Sequence, residues 1–573
     1  MYSDIKSVQL LVALLKEHGI RRVVCSPGNR NVPIVHSLEE DSFFETYSIV
    51  DERSAGFFGI GLIQRYREPV AICCTSGTAV CNYYSAVVEA YYQKLPLLII
   101  SADRNPYYFN QDEEKILPQT EGFEKVTKKI VQLPMVKDEA DEYVCVRKIN
   151  EAILELNHHG MGPVQINIPL EAKLAQFHTE TLPAVRKVQR HEKDESWKEL
   201  AELLYAKKVL VLYGQAAPLQ DEDIHIVEEF SKRFDAVIAT DPLANICCAG
   251  TISTFLLSRV LKAEEFEEML CPDIVITLHS GYMSYVRSHL KSCRNRMMHW
   301  AVNESGMIID PFMSIERVFE IEPIQFMSKM LSYELGSNSD NTTYMQEWQM
   351  KKELCGLNNV EIPWSDLYMA KELISGIPCN SKLHLANSSS VRLAAHFNID
   401  KSIEVFCNRG ANGIDGSASA YMGMAHATDE LCYLLIGDLS FFYDMNSLWN
   451  NYISSNMRIV LSNNEGATLF HYTVGIDNVP CLDKNIAAGH NATAKGWVES
   501  RGFKYIKVTN GAELEEAIQV MADRTSTSPV FVEVFTDKEE DAKILRQFYA
   551  SIRKENGLSN RGNLLKKILK TVK

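Results

Sequence analysis

The chain has 573 residues; at roughly 100–200 residues per domain that is room for three or four domains, each with a proper core. Hydrophobic residues make up 46% and charged residues 23%, a globular usage that excludes bulk disorder. Lys and Arg number 59 against 74 Asp and Glu, a net charge of −15, which excludes non-specific nucleic-acid binding and leaves room for small anions at a local basic cluster.

In chain order, the N-terminus runs straight into an amphipathic helix and lacks a signal-peptide pattern. No apolar run reaches the ~18–20 residues of a membrane helix. The 14 cysteines form no C-x-x-C pair and lie scattered in apolar stretches, which predicts reduced thiols in a cytoplasm and no zinc site. Short apolar runs then alternate with amphipathic helical stretches, the pattern of an α/β protein with parallel sheets flanked by helices. Predicted strands are 22–25, 69–74, 97–101, 164–168, 208–213, 236–239, 274–278, 432–436, 458–462 and 530–534. Most are followed by Gly, Ser, Asp or Asn, where an open α/β sheet places its ligand loops. Polar stretches at 182–194 and 336–342 read as linkers and divide the chain into domains 1–180, 190–335 and 360–573. From Glu539 onward the chain reads as a solvated helix that turns basic at Lys566, Lys567, Lys570 and Lys573. Gly59-Ile-Gly61 lies inside a predicted helix and reads as tight packing.

The first and third blocks are faintly alike. A small-residue helix, a strand and a turn follow Asp51 (Thr75-Ser76-Gly77-Thr78) and follow Asp415 (Gly437-Asp438-Leu439-Ser440). Two related blocks suggest one site built where they face each other. Asp438 and Asn464 end successive predicted strands and can converge on one cation. Magnesium takes oxygen ligands in octahedral geometry, usually one or two carboxylates with phosphates and water. Asp438, the Asn464 amide oxygen and the Gly466 carbonyl leave three positions for diphosphate oxygens and a water.

These motifs resemble those of thiamine-diphosphate-dependent enzymes. GDLS at 437–440 with NNEG at 463–466 is similar to the family's metal–diphosphate motif, and Asp51-Glu52-Arg53 matches its glutamate segment. SPGNRN at 26–31, SGTAV at 76–80, ADR at 102–104, NSSSVR at 387–392 and NRGANGIDG at 408–416 resemble one branch, the menaquinone-pathway 2-succinyl-5-enolpyruvyl-6-hydroxy-3-cyclohexene-1-carboxylate synthases. The resemblance implies thiamine diphosphate and Mg2+ (or Mn2+) as cofactors. It makes 1–180 the pyrimidine-binding domain, 190–335 a middle domain without catalytic groups, and 360–573 the diphosphate-binding domain. The cofactor's ylid adds to a 2-oxo acid and holds the carbanion left by CO2 loss. Glu52 would bond the aminopyrimidine nitrogen, a task suited to a carboxyl with a raised pKa in an apolar niche. Ile414 would be the wedge that bends the cofactor. Ser76, Gly77, Ser388, Gly437, Leu439 and Ser440 would touch cofactor beside Asp438 and Asn464, with Leu469 and Phe470 lining the acyl pocket.

The branch's substrates, 2-oxoglutarate and isochorismate, are dianions that need cations. Arg30, Arg104, Arg392 and Arg409 match its arginine positions. Three positions depart from its pattern: Asn29 stands for a Ser, Lys115 for a Gln with Gln119 four residues on, and Tyr285 follows Ser284 where a Lys is expected. The 488–494 stretch differs too. His471 and His490 fall near the expected site as candidate acid/base or acceptor-binding groups. The resemblance also implies a homodimer or homotetramer with sites at subunit interfaces and small anionic substrates, without nucleic-acid or membrane partners. The departures keep a second reading open: a related decarboxylase or carboligase using another 2-oxo acid and acceptor, for instance in a cell-surface sugar pathway. A third, a non-catalytic binding protein on the same fold, is opposed by the presence of both Glu52 and Asp438.

Overall fold

The computed structural model describes residues 1–170, 176–283, 285–335, 343–354 and 360–555. The expected linker at 336–342, the basic residues from Lys566 on and Ser284 lie outside them. Contacts divide the chain into two units. One is Met1–His191 with Ile315–Val318; the other is Glu192–Ser314 with the chain from Phe319 on.

The first unit is built on a six-stranded sheet of β1 (Arg22–Cys25), β2 (Glu45–Ser48), β3 (Val70–Cys74), β4 (Leu97–Asp103), β5 (Lys129–Gln132) and β6 (Val164–Pro169), in the order β2-β1-β3-β4-β6-β5. All its strand pairs are parallel. The central strands are continuous apolar runs because helices cover both faces. Every residue of VAICC and LLIISAD is buried. Helix Glu52–Tyr66 starts where Asp51 accepts the Arg53 N–H at 2.9 Å, an N-cap. A Cβ on Gly56 would lie 2.6 Å from Ala86 Cβ, and one on Gly59 3.0 Å from Ile72 Cγ2, so the expected tight packing belongs to these two. Gly61 faces open space instead.

A seven-stranded sheet follows: β7 (Gln189–Glu192), β8 (Val209–Tyr213), β9 (Val237–Thr240), β10 (Thr251–Ser253), β11 (Ile274–Leu278), β12 (Met298–Val302) and β13 (Ile315–Glu320), in the order β10-β9-β8-β11-β12-β13-β7. The 182–194 stretch is thus more than a linker: its QRHE segment is β7, mostly polar because neither face is fully covered.

The last sheet holds β14 (Lys382–Leu385), β15 (Glu404–Phe406), β16 (Cys432–Gly437), β17 (Met457–Asn463), β18 (Lys504–Val508) and β19 (Val530–Phe535), in the order β15-β14-β16-β17-β19-β18. Its strands pair in parallel and repeat the order of the first sheet strand for strand. The faint likeness between the two blocks is therefore a duplicated topology. In both sheets the strand order reverses beside the first-formed strand, and the loops leaving the carboxyl ends there are where such sheets take ligands.

Candidate active site

In the second unit, β14, β16 and β17 run parallel and end at one edge, with Gly437 paired to Ser462. Asp438 leaves β16 into a short helix, Asp438–Tyr443, and is 3% exposed. Its Oδ1 accepts the Leu439 N–H at 2.6 Å and its Oδ2 accepts the Gly466 N–H at 3.0 Å. These bonds fix the carboxylate and tie the two strand-end loops together. Gly466 has φ +147, and a Cβ there would sit 2.8 Å from the Ala487 carbonyl, so the loop closes only with glycine.

Asn464 is buried beside Asp438. Its Nδ2 donates to Thr468 Oγ1 at 2.5 Å and to Asp541 Oδ2 at 3.2 Å. No described residue donates to its Oδ1. A carboxylate, a carboxamide oxygen and a peptide carbonyl form an all-oxygen set that fits a hard divalent cation such as Mg2+ rather than zinc. His490 Nε2 lies 3.3 Å from Asp438 Oδ2, and that carboxylate raises the ring above its usual pKa. Burial pushes Asp541 up to about 6.

A cavity of about 350 Å3 opens at this edge. Its lining brings together Ser388, Ile414, Gly437, Asp438, Leu439, Ser440, Asn464, Gly466, Leu469 and Phe470, all the cofactor and metal residues expected in the third block. Met369, Asn387, Thr468, Ile486 and Ala488 also line it. Asn387 stands inside the quoted NSSSVR motif and Ala488 opens the 488–494 stretch already noted as different; Met369, Thr468 and Ile486 were not singled out and carry no local signal. Ser388 holds φ +71 and ψ −123, a conformation costly for a side chain and typical of ligand sites. Ser440 spends its hydroxyl on the Ile414 carbonyl at 2.5 Å and so fixes the loop that carries the expected wedge. The Ile414 side chain is 39% exposed.

Arg392 and Arg409 flank the cavity without lining it. Arg392 sits on helix Ser389–Ala394, between lining residues Ser390 and Leu393. Arg409 NH1 donates to Asn387 Oδ1 at 3.2 Å, while its Nε is buried without a hydrogen-bond partner. Burial and the neighbouring Arg392 hold the Arg409 guanidinium below its ordinary pKa, although Cys407 and Asp241 oppose this. Tyr285, where a lysine was expected, is a platform: the Arg259 guanidinium lies 4.3 Å from its ring centroid.

The first unit holds the other expected residues. Glu52 opens helix Glu52–Tyr66, is half-buried and accepts Asn82 Nδ2 at 3.3 Å. Phe57 and Phe58, on the same helix, are exposed. Ser76 is buried, and Gly77, at φ +86, donates its N–H to Gln119 Oε1 at 2.8 Å. Gln119 in turn donates to Asn167 Oδ1 at 2.8 Å, and Asn167 donates to Asp103 Oδ2 at 2.7 Å. Gln119 is thus a buried brace. Lys115 is exposed and abuts Gly77, so it and not Gln119 stands at the surface. Arg30 is half-buried, donating from NH1 to the Leu170 carbonyl at 3.2 Å; burial and the nearby Arg104 lower its pKa. Arg104 forms an ion pair with Glu113.

Comparison with known proteins gives two results. The family described as thiamine pyrophosphate enzyme, N-terminal TPP binding domain, matches residues 5–124. A 2-succinyl-5-enolpyruvyl-6-hydroxy-3-cyclohexene-1-carboxylate synthase of Phocaeicola vulgatus is 41% identical over 97% of this chain and 100% of its own length. The chain belongs to this synthase family. The synthase of Bacteroides fragilis is 40% identical over 96% of this chain and 100% of its own. That of Flavobacterium johnsoniae is 30% identical over the same shares. As members of the synthase family, these relatives span all three sheets, including the middle one where the sequence motifs are vague.

Proposed function

We propose that this chain decarboxylates 2-oxoglutarate and adds the resulting succinyl unit to isochorismate, forming 2-succinyl-5-enolpyruvyl-6-hydroxy-3-cyclohexene-1-carboxylate for menaquinone synthesis, with thiamine diphosphate and Mg2+ (or Mn2+) as cofactors. The observation that carries this reading is the cavity at the edge of β14, β16 and β17, lined by every cofactor and metal residue expected of the third block.

Bound thiamine diphosphate supplies a nucleophilic carbon and the electron sink that decarboxylation needs. Asp438, Asn464 Oδ1 and the Gly466 carbonyl would hold the metal ion. Glu52 would hydrogen-bond the aminopyrimidine nitrogen. Ile414 shapes the cavity wall, and Leu469 and Phe470 exclude water from the acyl side. Arg30, Arg104, Lys115, Arg392 and Arg409 pair with the carboxylates of the two dianions; the partnerless Nε of Arg409 is a donor ready for one of them. The active form is at least a homodimer, Glu52 of one subunit and Asp438 of its partner serving one cofactor, and the exposed Phe57 and Phe58 suit a subunit face. Thirteen free cysteines among the described residues suit a reducing cytoplasm. No helix among the described residues is long and apolar enough to cross a membrane.

The test is an assay of purified protein with thiamine diphosphate, Mg2+, 2-oxoglutarate and isochorismate. Loss of isochorismate absorbance that requires all four components is expected. No consumption, or CO2 release from a different 2-oxo acid in strict preference, rejects the substrate assignment.

A further inference from the structure

The loop that carries Asn464 is gripped from the start of the helix Lys538–Glu555. The Thr536 N–H donates to the Asn463 carbonyl at 3.2 Å. Lys538 Nζ reaches the Glu465 carbonyl at 3.5 Å. Asp541, 1% exposed, accepts from Asn464 Nδ2 at 3.2 Å. Three consecutive loop residues are therefore each held by this one stretch.

The Asp541 contact has a chemical meaning the other two lack. A carboxamide has an oxygen face and an NH2 face of nearly equal shape, and only the oxygen can ligate a cation. Something must decide which face points into the cavity. An ionised carboxylate is an acceptor only. Asp541 also accepts the Thr536 hydroxyl at 2.7 Å and the Asp366 N–H at 3.0 Å, so its oxygens are anchored by two further donors and meet the NH2 side of Asn464. Thr468 Oγ1 takes the second amide proton at 2.5 Å. With both protons spent, only Oδ1 is left for a ligand. We propose that Asp541 is a positioning residue that locks the Asn464 carboxamide with its oxygen toward the metal. The inference rests on the reading of Asn464 as a metal ligand.

The experiment uses the full chain with thiamine diphosphate and Mn2+ as probe, free Mn2+ being counted by electron paramagnetic resonance. Partners of metal ligands are typically worth about 10–100-fold in affinity. Asp541→Ala should weaken Mn2+ binding by about tenfold or more, raising the apparent KM for the metal while kcat at saturating Mn2+ stays close to that of the unaltered chain. Asp541→Asn keeps the volume and one acceptor oxygen and should recover most of the affinity. Thr468→Val, also of conserved volume, should weaken binding less than Asp541→Ala; it and Asp541→Asn keep the question answerable if the alanine variant does not fold. Mn2+ affinity unchanged by both Asp541→Ala and Thr468→Val overturns the proposal, as does an asparagine variant no better than alanine. If the unaltered chain binds no Mn2+, the metal reading itself falls and takes the inference with it.

Discussion

Arg409 holds a charged group half out of water, beside another arginine and with one buried N–H unpaired. A buried unsatisfied donor costs about 1–3 kcal/mol, more if charged. Sites of this kind trade stability for activity. We therefore expect Arg409→Met to leave the thermal midpoint unchanged or higher, while kcat/KM falls at least about 30-fold, the lower end of the scale for losing a charge-assisted contact of about 2–5 kcal/mol. A lower midpoint with intact activity would make Arg409 a purely structural residue. Asp438 and Asn464 were legible in the sequence because both follow apolar strands at a spacing that sets them on adjacent strand ends. Asp541 was not: it lies 77 residues from Asn464, and nothing in its local sequence, TDKEED, tells a buried carboxylate from a helix-start one. His490 was visible as a candidate, but its approach to Asp438 depends on how the 482–490 segment folds back onto Gly466.

At the scale of elements, the strands read from the sequence are those buried on both faces: VAICC, VLVLY, IVITL and VFVEVF need no partner to look like strands. Six of those not foreseen fall into two classes. ETYS, KIVQ, EVF and KYIKV lie at sheet edges or carry exposed residues, so alternation is weak. KLHL and MHWAV are interior but each holds a histidine that breaks the apolar run. His299 is satisfied there by Asp310 at 3.1 Å and Thr277 at 2.9 Å, a pairing seen only in three dimensions. The small-residue helix after Asp51 was legible for a packing reason. A Cβ at Gly56 already meets Ala86 at 2.6 Å, so Gly56→Val should push helix Glu52–Tyr66 off its neighbour. Overpacking of this kind costs roughly 1–3 kcal/mol, which a urea titration of the variant would show as a lower midpoint. An unchanged midpoint would mean that the two helices slide apart freely.

For the whole molecule, three buried histidines set a common pH response. Burial lowers His18, His384 and His396 from 6.5 to about 4, and His18 and His396 accept or donate hydrogen bonds without a charge partner. Between those two pH values the unfolded chain binds these protons and the folded chain does not, so stability rises with pH. The contribution is complete above about pH 6.5 and fades as the pH falls toward 4. Asp241 and Asp541, raised by burial to about 6, act in the opposite sense over this window, so the rings show in a difference: from pH 6.5 to 4 the thermal midpoint of His384→Leu should fall less than that of the unaltered chain. Equal changes in the two would show that His384 titrates alike in the folded and unfolded chain.

The order of the last sheet also bears on how the protein is made. β19 follows β17 and β18 in the chain, yet it sits between them, and those two have no pairing with each other. Until residues 530–535 emerge, both neighbours present open edges, the kind of surface that recruits stray strands. A nascent chain halted before that point would keep both edges open, and the arrival of residues 530–535 is the event that seals the sheet.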